Sequence, residues 1–100
     1  MEPRFAEPGV LILASLSGGP KHGYALIKDI EEIAGMTLGP GTLYGALTRL
    51  VQRGLVEALA AQDRRRPYRI TAEGAEAARA YLQPVQRVAA VGLKRLEAYG

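Results

Sequence analysis

The sequence predicts a mainly α-helical domain with one small β-hairpin and a long helix at its C-terminal end. Three observations indicate this fold class. Residues 7–54 contain three short segments with helical apolar patterns, separated by links that contain Gly and Pro. A polar, Arg-rich turn then separates two short arms, of which the second alternates apolar and polar residues. Finally, residues 72–98 contain apolar residues at spacings of three and four.

Length and composition restrict the class of protein. The 100-residue chain suits one domain, and its 48% hydrophobic and 23% charged residues are typical of a folded protein. No apolar run approaches the roughly 20 residues of a membrane span, and the N-terminal segment MEPRFAEPG does not resemble a signal peptide. We therefore expect a cytoplasmic protein without membrane contact.

The residue types also exclude several kinds of site. The chain contains no Cys and one His, which rules out disulfides, thiolate zinc sites and a multi-His metal site within one chain. It also lacks a phosphate-binding glycine loop with Lys-Ser/Thr and an HExxH motif. We expect no enzyme activity, no cofactor and no metal.

The first two helices are predicted from apolar periodicity and from their end signals. The first runs from about Glu7 to Ser17, where Pro8 suits the first turn and apolar residues cover most of the circumference. A buried helix is favoured, with a buried strand as the alternative, because periodicity cannot separate the two in so short a run. The second runs from Lys21 to Gly35 with an apolar stripe at Leu26, Ile30 and Ile33. His22 is expected to hydrogen-bond at its start.

The third helix is predicted from Pro40 to about Arg53, with Gly54 as its C-terminal stop. Its buried seam is Leu43, Leu47 and Leu50, joined by Ala46 and Val51. The opposite face presents Thr42, Gly45, Thr48, Arg49, Gln52 and Arg53. Two helices joined by a short Gly-containing link form a helix-turn-helix, whose second helix offers its outer face to a DNA groove.

A two-stranded β-hairpin with an arginine-bearing tip is expected next. Its arms are residues 55–61 and 67–71, and its turn is residues 62–66. In the second arm, Tyr68 and Ile70 share one face and Arg69 lies on the other, which is the alternation of a strand. The first arm is Ala-rich, so helix is the alternative on propensity alone.

The last predicted helix runs from Ala72 to about Ala98, with Thr71 as its N-cap. Pro84 is expected to kink this helix or to split it in two. Its wide apolar seam exceeds what a small domain can cover, so we expect a two-fold homodimer. The expected interface residues are Leu82, Val85, Val88, Ala89, Leu93, Leu96 and Tyr99. The alternative is a helix that folds back on the first one.

Positive charge is concentrated in one third of the chain. Residues 40–71 contain six Arg and two acidic residues, a net charge of +4, whereas the remainder has a net charge of −1. A local basic surface attracts polyanions, and the planar guanidinium fork suits phosphate and guanine. The alternative is a solvated charged face.

The predicted order of helix, helix, helix, hairpin and long helix is that of a winged helix-turn-helix protein. Residues 19–24 (GPKHGY) resemble the G-P-x-H-G-Y segment of the PadR-like transcriptional regulators. Residues 40–50 (PGTLYGALTRL) resemble the recognition helix of that family, and residues 54–56 and 68–74 resemble its wing. The chain is similar to the short subgroup with one C-terminal helix. The implied organisation is a DNA-binding domain at 1–74 and a dimerisation helix at 75–100.

The resemblance implies a homodimeric repressor that binds double-stranded DNA and is released by a small molecule or another signal. Thr42, Tyr44 and Arg49 match positions at the major-groove face, and Tyr24 matches a tyrosine near the phosphate backbone. Residues 64–66 match the wing. The sequence departs from the family at Gly39, where many relatives have Ser, and at Gly45, where relatives often have Pro or a larger residue.

The residues themselves suggest further contacts. Arg49 suits a guanine edge or a phosphate, with a surface ion pair as the alternative, and Thr42 either contacts DNA or serves its own helix terminus. Tyr44 is either packed or bound to phosphate. Lys21 lies where a helix N-terminus also favours anions. The residues expected to contact DNA are Lys21, Tyr24, Thr42, Tyr44, Gly45, Thr48, Arg49, Arg53, Arg64, Arg65 and Arg66.

Two other functions compete with DNA-binding regulation. A winged-helix module can use the same basic surface to bind RNA or another protein. A membrane-surface helix at residues 81–99 is disfavoured, because that segment contains only three basic residues, Arg87, Lys94 and Arg95.

Overall fold

The computed structural model describes residues 7–100, and its fold class agrees with the sequence prediction. The described residues form four helices and one antiparallel sheet of three short strands. In chain order the elements are α1 (Pro8–Leu16), β1 (Lys21–His22), α2 (Gly23–Ala34), α3 (Pro40–Gln52), β2 (Val56–Ala58), β3 (Pro67–Ile70) and α4 (Ala72–Tyr99). Residues 1–6 lie outside the described range. They include most of the N-terminal segment MEPRFAEPG and the start of the predicted DNA-binding domain at 1–74.

The core lies where α1, α2 and α3 meet the sheet. Its largest fully buried side chains are Ile12, Leu16, Leu26, Ile30, Leu43, Leu47 and Val56. The buried run of α1 is helical, so the strand alternative is wrong. The predicted stripe of α2 is buried at Leu26 and Ile30, but Ile33 is 54% exposed because the last turn of α2 lies at the edge of the core. This packing fixes α3 with its apolar seam inward.

The sheet corrects the prediction of a two-stranded hairpin. β1 adds a third strand, and the strand order is β1-β3-β2 with antiparallel pairing throughout. A strand of two residues shows no alternation, so the sequence pattern could not reveal β1. The first arm is a strand as predicted, but it is shorter than the predicted residues 55–61, because regular pairing covers only Val56–Ala58. The last hydrogen bond between the arms is from the Leu59 N–H to the Pro67 carbonyl, at 2.9 Å. β1 brings the start of α2 beside the hairpin.

α4 begins as predicted and continues without a break. The Thr71 hydroxyl caps it, accepting from the Gly74 N–H at 3.0 Å and donating to the Gly54 carbonyl at 2.7 Å. The helix runs through Pro84, so the predicted alternative of two separate helices is wrong. At 28 residues it is about 42 Å long. It therefore dominates a molecule whose dimensions are 52 × 25 × 23 Å.

The C-terminal half of α4 presents apolar side chains to solvent. Only Gly74 and Ala78 are buried in this helix. Val88, Leu93, Leu96 and Tyr99 are 72%, 64%, 63% and 90% exposed. The alternative of folding back on α1 does not account for this end of the helix. Within residues 7–100 no helix has both the length and the apolarity to cross a membrane.

Candidate nucleic-acid interface

α3 divides into a buried and an exposed face, as its periodicity predicts. Leu43, Ala46, Leu47 and Leu50 are buried, but Val51, which was also predicted for the buried seam, is 37% exposed. The exposed side chains are Thr42, Tyr44, Thr48, Arg49, Gln52 and Arg53, and Gly45 is partly exposed between them. Pro40 occupies the first turn, where its missing N–H costs no hydrogen bond. The helix therefore offers a polar outer face with two arginines toward its C-terminal end.

The hairpin tip lies beside this helix. One cleft is lined by residues from β1, α2, α3, β3 and the hairpin turn: His22, Gly23, Tyr24, Tyr44, Arg64, Arg65, Arg66 and Tyr68. The Tyr44 hydroxyl packs over the backbone of Gly23, where a Cβ would overlap it. Tyr44 is thus packed at its hydroxyl end while 46% of the residue remains exposed. The structure joins the recognition face and the wing into one surface.

The arginines of the basic stretch differ in what they contact. Arg69 forms an ion pair with Glu57, its cross-strand neighbour on β2. Arg66 Nη1 donates to the Leu59 carbonyl at 2.9 Å, which holds that side chain across the hairpin. Among residues 7–100, Arg49, Arg53 and Arg64 make no side-chain hydrogen bond or salt bridge. These three, together with Arg65, are the cations most available to a ligand.

His22 lies between the start of α2 and the hairpin turn. Its Nδ1 accepts from the Ala25 N–H at 3.4 Å, which confirms the predicted role at the start of α2. Its Nε2 lies 3.4 Å from Arg65 Nη1. This contact places the Arg65 guanidinium group beside the start of α2.

The Lys21 side chain, which was predicted to contact DNA, bonds to other residues of the chain. Its Nζ donates to the Ser15 carbonyl at 2.6 Å and lies 3.9 Å from Asp29 Oδ2. Asp29 Oδ2 also accepts from the hydroxyl of Ser15, a residue that is 2% exposed. The ammonium group thus neutralises Asp29 and binds the C-terminal end of α1. Sequence reasoning missed this network because Ser15 and Asp29 are 14 residues apart.

The comparison with protein families decides the class of this chain. Residues 12–80, which span the helix-turn-helix and the wing, match the "Transcriptional regulator PadR-like family". The chain belongs to this family. The PadR-like family is one of transcriptional regulators and is not enzymatic, which confirms the expectation that the chain is not an enzyme.

Solved structures and one curated protein are similar to this PadR-like chain. A transcriptional regulator from Clostridium thermocellum shares 28% identity with a TM-score of 0.72, over 87% of each chain. A PadR family transcription regulator from Clostridium difficile has the same fold at 24% identity, with a TM-score of 0.77 over 91% of this chain and 99% of that one. A 37.1 kDa uncharacterized protein in transposon Tn4556 of Streptomyces fradiae is 48% identical over 67 residues. That match covers 67% of this chain but 19% of the relative.

The tip of the PadR-like wing is a strained two-residue turn. Gln62 and Arg65 exchange two backbone hydrogen bonds at 2.7 and 2.8 Å around Asp63 and Arg64. Both central residues have positive φ, 50° and 66°, as in a type I′ turn. Glycine is preferred at the second of these positions, because a Cβ raises the energy of the left-handed conformation. The sequence places an arginine there instead.

We expect Arg64→Gly to raise the free energy of unfolding by about 1 kcal/mol relative to Arg64→Ala. Both variants remove the same guanidinium group, but only glycine relieves the left-handed strain. Chemical denaturation of the two variants measures the difference. Equal stability of the glycine and alanine variants would show that the turn is not held in the left-handed conformation.

Proposed function

We propose that this PadR-like chain is a sequence-specific DNA-binding repressor that acts as a homodimer. α3 lies in the major groove, and the turn at residues 62–65 contacts the flanking backbone. The observation that carries the proposal is the exposed face of α3, with Arg49 and Arg53, on a helix whose Tyr44 lies in one cleft with the arginines of the wing. Membership of a family of transcriptional regulators supports the same function.

The roles of the predicted DNA-binding residues follow from their surroundings. Thr42, Tyr44, Gly45, Thr48, Arg49 and Arg53 face the groove on α3, with Tyr24 at its edge. Arg64 and Arg65 bind phosphate from the wing, where His22 lies beside Arg65. Arg66 contributes charge while it braces the hairpin. Lys21 serves the α1–α2 junction and contacts no phosphate directly.

The exposed apolar residues of α4 support a homodimer. Two copies of this helix cover each other's seam, formed by Leu82, Val85, Val88, Ala89, Leu93, Leu96 and Tyr99. The two recognition helices then meet half-sites about 34–36 Å apart, or a multiple of that distance. Occupancy of such a site blocks transcription, and a small molecule or another signal releases the protein.

Salt dependence of DNA binding tests the proposal. We expect the logarithm of the association constant for duplex DNA to fall steeply with the logarithm of salt concentration. Arg65→Ala should reduce that slope by about 1, because one phosphate contact is lost. Arg87→Ala is the matched control, since it removes an exposed arginine from α4 instead of the wing. Both slopes are measured by fluorescence anisotropy of labelled duplexes at salt concentrations between about 50 and 200 mM.

Two outcomes would reject DNA binding as the function. The first is absence of binding to duplex DNA at low salt. The second is tighter binding to RNA than to duplex DNA of equal length, which would favour the RNA-interaction alternative. Equal slopes for Arg65→Ala and Arg87→Ala would place the bound phosphates away from the wing.

A further inference from the structure

Gly45 has no structural reason to be glycine. It lies inside α3, where glycine lowers helix stability relative to alanine, and its φ is not positive. Among residues 7–100, a Cβ at this position would meet only Arg49 Nη1, at an ordinary contact distance of 3.8 Å. One turn earlier, a Cβ on Gly41 would meet none of these residues within 4 Å. The two glycines thus leave a bare helix surface on the exposed side of α3.

The exposed side chain of Arg49 lies next to Gly45 on the surface of α3. Its guanidinium group lies back along the helix, toward the residue one turn earlier. Within the described part of the chain it makes no hydrogen bond or ion pair. The neighbouring Thr48 hydroxyl, by contrast, is committed to the Tyr44 carbonyl at 2.9 Å. Arg49 thus offers two parallel N–H donors to a ligand from within α3, whereas Arg53, the other unbonded arginine of this face, lies at the C-cap.

We infer that Arg49 reads a guanine in the major groove and that Gly45 sets the depth at which it does so. The inference rests on the proposed function. Guanine presents two acceptors, O6 and N7, in the major groove, whereas adenine pairs an acceptor with a donor. A guanidinium fork matches guanine alone. Because Gly45 has no side chain, the backbone of α3 can approach the base edges closely. The Arg49 side chain, which lies along the helix, then reaches the guanine.

A chemical change in the DNA tests this reading. Duplexes that the protein binds are selected from a randomised library, and each selected guanine is then replaced in turn by 7-deazaguanine. This base lacks the N7 acceptor but keeps its pairing and its minor-groove edge. We expect one guanine in each half-site at which replacement weakens binding about 5- to 100-fold, the range for one bidentate contact. Insensitivity of every selected guanine would overturn the inference.

Arg49→Lys separates base reading from charge. Lysine keeps the positive charge but loses the planar fork, so the variant should lose its sensitivity to 7-deazaguanine while its salt slope stays unchanged. Retained sensitivity would show that another residue reads the guanine. Arg49→Ala removes the charge as well. A salt slope lowered by about 1 in that variant, together with unchanged base preference, would show that Arg49 binds a phosphate instead, which also overturns the inference.

Gly45→Ala tests the depth of approach. The variant should have a melting temperature at least equal to that of the wild type, because alanine favours helix. It should nevertheless bind the selected duplex at least about fivefold more weakly, with little change on a random duplex. Equal affinity for the selected duplex would remove Gly45 from the inference. Salt-dependent binding without any guanine preference would contradict the inference alone, whereas absence of duplex binding by the wild type would contradict the proposed function.

Discussion

Leu93→Glu combined with Leu96→Glu is expected to convert the protein into a monomer and to weaken its binding to a two-half-site duplex by about 100-fold or more. Both leucines are more than 60% exposed on the projecting half of α4. In a dimer each would contact the partner's apolar seam, where an unpaired carboxylate is costly. A monomer engages one half-site and loses the gain from linked binding. Analytical ultracentrifugation and titration of the same duplex measure the two effects.

Val91→Glu combined with Ala98→Glu is the matched control. These residues are also exposed, and helical geometry places them on the side of α4 opposite the seam. The control adds the same two negative charges to the same helix, so it separates loss of the interface from a change in net charge. A dimeric Leu93/Leu96 variant, or a control that dissociates to the same extent, would show that dimerisation does not use this seam.

Local signals account for most of what the sequence could predict. The helix ends are encoded by residues next to them: Pro40 begins α3, Gly35 in a left-handed conformation ends α2, and Thr71 caps α4. The exposed face of α3 follows from a period of 3.6 residues, which needs no knowledge of the remaining fold. The motifs at residues 19–24 and 40–50 added the family, and those at residues 54–56 and 68–74 added the wing. The fold class and the orientation of α3 were therefore within reach.

Contacts between distant residues account for what could not be predicted. β1 exists because β3 offers it a pairing edge, and nothing within its two residues indicates this. Lys21 belongs to the predicted phosphate contacts by its position next to a helix start, but Ser15 and Asp29 bind its ammonium group. Arg69 has the same residue type as Arg65, yet the register of the hairpin places it opposite Glu57. Which cations remain available thus depends on tertiary structure, not on composition.

Gly74→Ala, at the junction between the wing and α4, is expected to destabilise the protein strongly. Gly74 lies in the first turn of α4, where a Cβ would overlap the carbonyl oxygen of Leu55 and lie 2.8 Å from Ile70 Cγ1. That carbonyl cannot move away freely, because it accepts the Thr71 N–H at 3.1 Å and so closes the base of the hairpin. Gly74→Ala should therefore lower the free energy of unfolding by about 3 kcal/mol. For a domain of this size, the melting temperature should fall by roughly 10–20 °C.

Gly41→Ala is the control for this substitution. It also adds one methyl group to a helix, but at a position with open space within 4 Å, so its effect reports helix propensity alone and should be neutral or stabilising. Thermal denaturation followed by circular dichroism compares the two variants. Equal melting temperatures would contradict the close contact between α4 and Leu55. A large difference would show that the base of the hairpin is held to α4 by close backbone packing at Gly74.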